Sequence, residues 1–433
     1  MKNNCALRYV PASRSTATFY GWRVVAAVFV LATFGWGLGF YGPPVYLQTV
    51  HDVRGWSLRL ISIAITVHFL FGAVIAANLP KLYKIFGVTA VTKAGCIALA
   101  VGVCGWAIAW EPWQLFLATL FSGGGWVTMS AAAVNAIISP WFVRSRAVAL
   151  TSAYNGSSVG GVIFSPLWVV AIGLLGFPLA AFAIGLIMIV TVWVLANRYF
   201  SKTPEQMGLV PDGDAFDGST VVSVTSPLAI PLPGKRLWRN RQFITLAAGM
   251  ALGLFAQIGL LAHLFSLLVP ALGAQVAGVA AGTATASAMV GRTLFGWLMP
   301  VGADRRLFAC ASYLVQIVGS LALLFGAGNH VLIVLLGVVL FGFGIGNATS
   351  LPPLIAQVEF VKDDVPRVVP LIVAISQGTY AFAPAAFGVI RELTAQGGTL
   401  ATGSAPHIFI AAAVIQGAAI AAFMLGRFRS REV

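Results

Sequence analysis

A chain of 433 residues that is 59% hydrophobic and only 9% charged cannot be a soluble globular domain, in which about a quarter of the residues carry charge. Its apolar runs are long enough for helices and do not show the ~10-residue alternation of a β-barrel, so the predicted class is an all-α membrane protein. The net charge of +14 would suit a nucleic-acid binder, but the placement of the charges accounts for it without any nucleic-acid partner.

The first residues, MKNNCALRYVPASRSTATFYGWR, are basic and polar. They hold no short apolar core before a small-residue cleavage site, so no cleaved signal peptide is expected. Twelve spans follow, at 22–48, 57–79, 88–110, 112–138, 147–170, 176–199, 243–269, 275–299, 307–327, 330–355, 368–390 and 406–426. Each approaches or exceeds the ~20 residues that cross a bilayer. The break at Glu111-Pro112 is the least marked. With the N-terminus inside, 22 of the 26 Lys and Arg fall on one side; Arg54, Arg59 and Arg391 fall on the other, and Arg292 is left over. The positive-inside rule makes the rich side cytoplasmic. The expectation is a plasma (inner) membrane protein with both termini in the cytoplasm.

The segment 201–241 carries Pro204, Pro211, Pro227, Pro231 and Pro233 with Asp212, Asp214 and Asp217. It reads as a flexible cytoplasmic linker between a six-helix unit at 1–200 and another at 242–433. The two units look like copies: Leu120-Phe121-Ser122-Gly123-Gly124-Gly125 in span four matches Leu340-Phe341-Gly342-Phe343-Gly344-Ile345-Gly346 in span ten. Small residues let helices approach closely, and parallel six-helix repeats are a transporter architecture. The fold predicted is therefore twelve transmembrane helices in two pseudo-symmetric six-helix bundles.

One fixed charge stands inside a span. Arg292 lies in Thr283–Met299, TATASAMVGRTLFGWLM. A guanidinium at the bilayer centre costs about 2.5–3.5 kcal/mol on insertion scales, so such residues face a cavity and bind something by default. Arg keeps its proton, which makes it a permanent partner for an anion. The competing reading is an Arg that snorkels to the cytoplasmic face. The other polar groups within spans are His68, His263, Asn155 with Tyr154, and Gln377 with Tyr380; Asn135 and Gln257 are weaker candidates. The two His are the natural proton carriers if transport is proton-coupled, since no Asp or Glu lies in a span interior. For each polar residue, an inter-helix hydrogen bond is the competing role. Tyr41 and Tyr46 fit interfacial anchors. The four Cys form no metal spacing. No cofactor is expected, and no catalytic motif points to an enzyme.

Four stretches resemble the major facilitator superfamily, and within it the branch of monocarboxylate-transporter-like and oxalate–formate-antiporter-like proteins. They are Gly21-Trp22-Arg23-Val24-Val25; Trp141-Phe142-Val143-Arg144-Ser145-Arg146-Ala147 with Asn155-Gly156; Pro204-Glu205-Gln206-Met207-Gly208-Leu209 with Pro211-Asp212-Gly213-Asp214; and Ala262-His263-Leu264 with Gly291-Arg292 and Gly302-Ala303-Asp304-Arg305-Arg306. The resemblance implies alternating access around a midplane site and matches Arg292 to the span-eight Arg that binds substrate carboxylate in that branch. It also implies gating charges at Asp304, Arg305 and Arg306, with Arg144 and Arg146 in the first half. The chain departs from the branch in lacking a Lys in spans one and eleven and in carrying Ala288 four residues before Arg292. In the loop after span two, Lys84 stands where the superfamily has Asp. The expected function is secondary transport of a small organic anion, a monocarboxylate or related carboxylate. Efflux of a neutral or lipophilic compound, or solute sensing, are the alternatives.

Overall fold

A computed structural model describes residues 19–213, 237–300, 303–326, 330–360, 364–396 and 405–427. Among them every regular element is helical. The first half holds α1 (Tyr20–Gly39), α2 (Gly42–Arg54), α3 (Leu58–Phe86), α4 (Val88–Ile108), α5 (Pro112–Val127), α6 (Ala131–Ile138), α7 (Arg146–Leu175) and α8 (Phe177–Leu195). The second holds α9 (Arg241–Leu298), α10 (Arg305–Gly326), α11 (Val331–Ile345), α12 (Asn347–Glu359), α13 (Val365–Tyr380), α14 (Ala383–Gln396) and α15 (Pro406–Arg427).

Ten described stretches are long and apolar enough to cross a membrane. One of them, α9, has 58 residues, about 87 Å at 1.5 Å per residue, which is far more than one crossing. Its backbone breaks at Gly273 (φ 72°, ψ 161°), just after Pro270. Only glycine adopts that conformation without strain, so α9 is two antiparallel crossings. The pair α11–α12 completes the twelve spans read from the sequence. Some boundaries differ: α3 runs past Pro80 to Phe86 and α12 runs on to Glu359. At the weakly marked break between spans three and four, Glu111 and Gln114 form a reciprocal capping box that starts α5.

Spans one, four, ten and eleven are each two helices in series, interrupted at 40–41, 128–130, Gly346 and 381–382. Pro43 and Pro44 follow the first break and Pro384 the last, where a missing N–H stops the ladder from simply continuing. Breaks at membrane depth free backbone carbonyls, which need a cavity or a protein partner.

The internal repeat is visible in the packing. A Cβ on Gly72 would sit 3.1 Å from the Gly123 carbonyl oxygen, and one on Gly123 would sit 2.1 Å from that of His68. In the second half, a Cβ on Gly291 would meet the Phe343 carbonyl at 1.9 Å, and one on Gly342 would meet that of Ala284 at 2.3 Å. Both glycine pairs are related by the same offset of 219 positions. Spans two and four thus touch backbone to backbone, as spans eight and ten do. This predicts that Gly123→Ala is destabilising by about 1–3 kcal/mol, since an added methyl forces the backbone apart. Thermal unfolding of the purified variant checks it; an unchanged midpoint would mean that the contact yields freely.

The halves interlock toward one end of the bundle. α7 packs along the second crossing of α9, α3 along α14, and α2 against the first crossing of α9. That end, called here the far end, lies opposite the end carrying residues 196–213 and the start of α9, called the linker end. The far-side junction of α3, α9 and α14 joins the halves through Ala385 N–H donating to Thr66, the Ser62–His263 contact and the Arg59–Glu392 ion pair.

Candidate functional site

The second crossing of α9 carries Arg292 against the break in span ten. Its Nε donates to the Gly346 carbonyl at 2.9 Å, a carbonyl exposed by the α11–α12 interruption. The side chain is half-buried. No carboxylate among the described residues pairs with it. A guanidinium has five N–H donors, and the Gly346 bond uses one. Arg292 lies close enough to the Tyr41 phenol to act on it electrostatically, and Thr285 stands two turns before Arg292 on the same crossing. A Cβ on Gly161 of α7 would lie within 2.8 Å of both Thr285 and Tyr41 side chains, so this group straddles the two halves.

Aromatic rings continue from Tyr41. Phe40 meets Tyr41 at 5.1 Å between centroids and Phe69 at 6.0 Å; Phe69 meets Trp126 at 5.5 Å and, across the halves, Tyr380 at 6.1 Å. Arg292 and this aromatic set lie on the linker side of the far-end junction. They combine one fixed positive charge with a largely apolar surround, a chemistry that accepts a carboxylate on an apolar body.

The other sequence candidates occupy different layers. His68 is buried inside the first half, with Nδ1 2.9 Å from Ser122 Oγ and its ring stacked on Trp126. His263 is buried in the far-end junction, with Nε2 3.2 Å from the Pro384 carbonyl and 3.4 Å from Ser62 Oγ. Tyr154 bonds Asn135 Nδ2 and the Ala131 carbonyl, linking α7 to α6. Asn155 is half-buried and makes no side-chain hydrogen bond among the described residues, and Gln377 is exposed on α13. Of these, Tyr380 and His68 touch the aromatic set, His68 through Phe69 at 5.2 Å and Trp126 at 5.8 Å. The sequence reading assigned Tyr41 to the interface and passed over Thr285. A signal existed for the latter: it stands seven residues before Arg292, two turns along the same helix face.

The proposed gating charges all lie at the linker end, within one half each. Arg306 is 1% exposed. Its Nε and Nη2 donate to the two oxygens of Glu359, and its remaining N–H groups reach Thr245 Oγ1, the Phe423 carbonyl and the Gln242 carbonyl. Asp304 accepts from the Arg306 backbone and from Arg427, and Arg305 donates to the Leu354 carbonyl. Arg146 bonds Ser139 Oγ.

In the first half, the linker supplies the acid. Asp212 Oδ2 accepts from the backbone N–H of Val143 (2.9 Å) and Arg144 (2.8 Å), and Oδ1 from Ser145 (3.0 Å); its own N–H bonds the Trp141 carbonyl. Burial pulls the Asp212 carboxyl up, but the hydrogen bonds from Arg144, Ser145 and Val143 outweigh it and hold its pKa below the ordinary value. A depressed folded-state pKa means the docked arm is fully stabilised above the ordinary aspartate value and loses that stabilisation as pH falls through the lowered one. Asp212 sits at φ 62°, a conformation Asn also tolerates. Asp212→Asn is therefore expected to loosen the 203–213 arm at neutral pH, seen as faster limited proteolysis there. Cleavage at the parent's rate would show that the carboxylate does not hold it.

The sequence profile of the Major Facilitator Superfamily matches residues 24–384. "MFS-type transporter 1" of Ophiocordyceps sp. (strain BCC 1869) is 26% identical over 377 residues, covering 82% of this chain and 75% of that protein. The crystal structure of the nucleoside transporter NupG superposes with a TM-score of 0.68 at 10% identity, over 95% of this chain and 100% of that one. A bacterial homologue of the human lysosomal transporter Spinster, in an inward-facing and occupied conformation, gives 0.64 at 15%, over 94% and 95%. With twelve crossings in two interlocked bundles and a profile match over most of its length, the chain belongs to the Major Facilitator Superfamily, whose members are multi-pass membrane transporters working by alternating access and not enzymes.

Proposed function

We propose that this transporter carries a small monocarboxylate or related organic anion, bound at Arg292, and that it falls in the monocarboxylate-transporter-like and oxalate–formate-antiporter-like branch. One observation carries the reading: a half-buried guanidinium that keeps four N–H donors beyond its bond to Gly346 and has no carboxylate partner among the described residues. Neighbouring Tyr41 and Thr285 supply hydroxyls to orient the anion, and the Phe40–Phe69–Tyr380 rings receive its apolar part. The charge distribution supports a cytoplasmic linker end and cytoplasmic termini in a plasma membrane, with residues 201–241 joining units 1–200 and 242–433. On that orientation the far-end junction is the closed outer gate, and this conformation faces inward.

Thermal unfolding of the purified protein against mono- and dicarboxylates at pH 6 and 7.5 tests the reading, because a ligand of the folded state raises apparent stability by mass action. Stabilisation by particular carboxylates supports it; none by any carboxylate overturns it. A second reading, transport of a lipophilic compound, is favoured by an apolar groove of about 660 Å³ among α3, α4 and α5, lined by residues including Phe71, Ile75, Phe86, Leu117 and Phe121. Stabilisation by neutral lipophiles alone would select it.

A further inference from the structure

We infer that His263 is a proton-binding site that controls the far-end seal: the seal closes only around the neutral imidazole, and a proton taken up there holds the far end open. His263 is fully buried at the meeting of α3, the first crossing of α9 and α14. The two groups within reach of its Nε2 are the Pro384 carbonyl at 3.2 Å and Ser62 Oγ at 3.4 Å. A carbonyl only accepts. The single hydroxyl hydrogen of Ser62 goes to the Leu58 carbonyl at 2.6 Å, so Ser62 Oγ also faces His263 as an acceptor. Nε2 must therefore carry the hydrogen, which leaves Nδ1 as the bare nitrogen of the neutral ring.

Nδ1 is buried and has no hydrogen-bond partner. A proton added there would create a buried N–H donor without an acceptor, which is costly in itself. It would also place a full positive charge near the guanidinium of Arg391 on α14, which is held by Ser266 Oγ one turn along from His263. The carboxylate of α14, Glu392, pairs instead with Arg59 of α3 at 3.6 Å. On α2, which also touches α9, His51 bonds the Trp56 carbonyl, Asp52 accepts from Gln48, and Arg54 stacks on Trp110. On α15, His407 is exposed. Among the described residues, nothing in the sealed arrangement neutralises an imidazolium at His263.

The same contacts are the seal. Ser62 and Pro384 belong to opposite halves, and Thr66 Oγ1 accepts from the Ala385 N–H one turn deeper. Separating the halves at this end breaks the Nε2 contact to Ser62 and lets water reach the ring. The proton then comes from far-side water and returns to it before closure. By linkage, a proton that binds one conformation better shifts the population toward that conformation. The inference concerns the gate and holds whichever solute Arg292 receives.

The test reads the gate without solute, so its failure is distinct from failure of the carboxylate reading. Val53 and Gln275 are exposed at the far ends of the two halves. Cysteines placed at both, in a chain lacking its own four cysteines, accept a donor–acceptor pair for single-molecule energy transfer. Lowering the pH from 7.5 to 5 should increase the long-distance, far-end-open population of the parent. In His263→Gln, whose amide N–H still reaches the Pro384 carbonyl, that rise should vanish while the closed population at pH 7.5 remains. Arg391→Gln gives an independent arm: with the repelling charge gone the sealed state tolerates the proton better, and the acid-driven opening should shrink. A parent with no acid response, or a full response surviving in His263→Gln, overturns the inference. Should His263→Gln fail to fold, an undiminished response in Arg391→Gln overturns it instead.

Discussion

Arg292→Ala folds, retains the far-end contacts, and loses the carboxylate-dependent stabilisation seen in the parent. The guanidinium donates to one backbone carbonyl and pairs with no acid among the described residues, so removing it breaks no ion pair there; it also relieves a membrane charge. The binding side is different. Truncating one partner of a buried, hydrogen-bonded charge pair costs about 2–5 kcal/mol, roughly a thirtyfold to several-thousandfold loss in affinity. Arg292→Lys should recover only part of it. An ammonium keeps the charge but not the planar fork that holds a carboxylate bidentately. Isothermal titration of the stabilising carboxylate into the three proteins measures this series directly. An affinity unchanged in Arg292→Ala would show that the anion binds elsewhere, and an Arg292→Lys equal to the parent would reduce the site to a point charge.

The twelve crossings were legible because each is a long apolar run, a pattern that needs no tertiary information. The helix breaks within spans one, four, ten and eleven were only partly so. Proline marked the first and last, but Gly346 looks like any other small residue in a glycine-rich stretch, and its importance comes from the Arg292 side chain that reaches its carbonyl. Arg292 itself stood out as a lone charge, and the repeat sharpens the point: the 219-residue offset places Ala73 at its counterpart in the first half. Which polar residues surround it could not be read. His68, His263 and Tyr154 sit at plausible depths, but depth says nothing about which way a helix is turned. The fold directs each toward a hydrogen-bond partner among neighbouring helices and leaves Tyr41 and Thr285 beside the charge. The role of Asp212 was hidden for a related reason. A carboxylate in a proline-rich linker has no periodicity to reveal that it caps three backbone N–H groups nearly seventy positions earlier in the chain.

Arg306→Ala is expected to be the most destabilising single change at the linker end. All five N–H donors of this guanidinium are satisfied, by Glu359, Thr245, Gln242 and Phe423. It thereby ties spans seven, nine, ten and twelve at one point. Gly426 makes room for it, since a Cβ there would lie 2.0 Å from Nη1. Removing the side chain strands the Glu359 carboxylate and two carbonyls, and breaking a buried pair from one side costs about 3–5 kcal/mol. Arg306→Lys should fall between, because three donors on one nitrogen cannot span the same acceptors. The double change Arg306→Met with Glu359→Leu should be milder than Arg306→Ala alone, since replacing both partners leaves no stranded charge. Unfolding midpoints of the four proteins test this ordering; an Arg306→Ala as stable as the parent would refute the hub. The two halves thus secure their linker-end loops differently. The second half uses its own Arg306–Glu359 pair, whereas the first, with Lys84 in the last turn of α3, holds the loop before α7 through Asp212. A linker variant should therefore loosen the first half and leave the second intact.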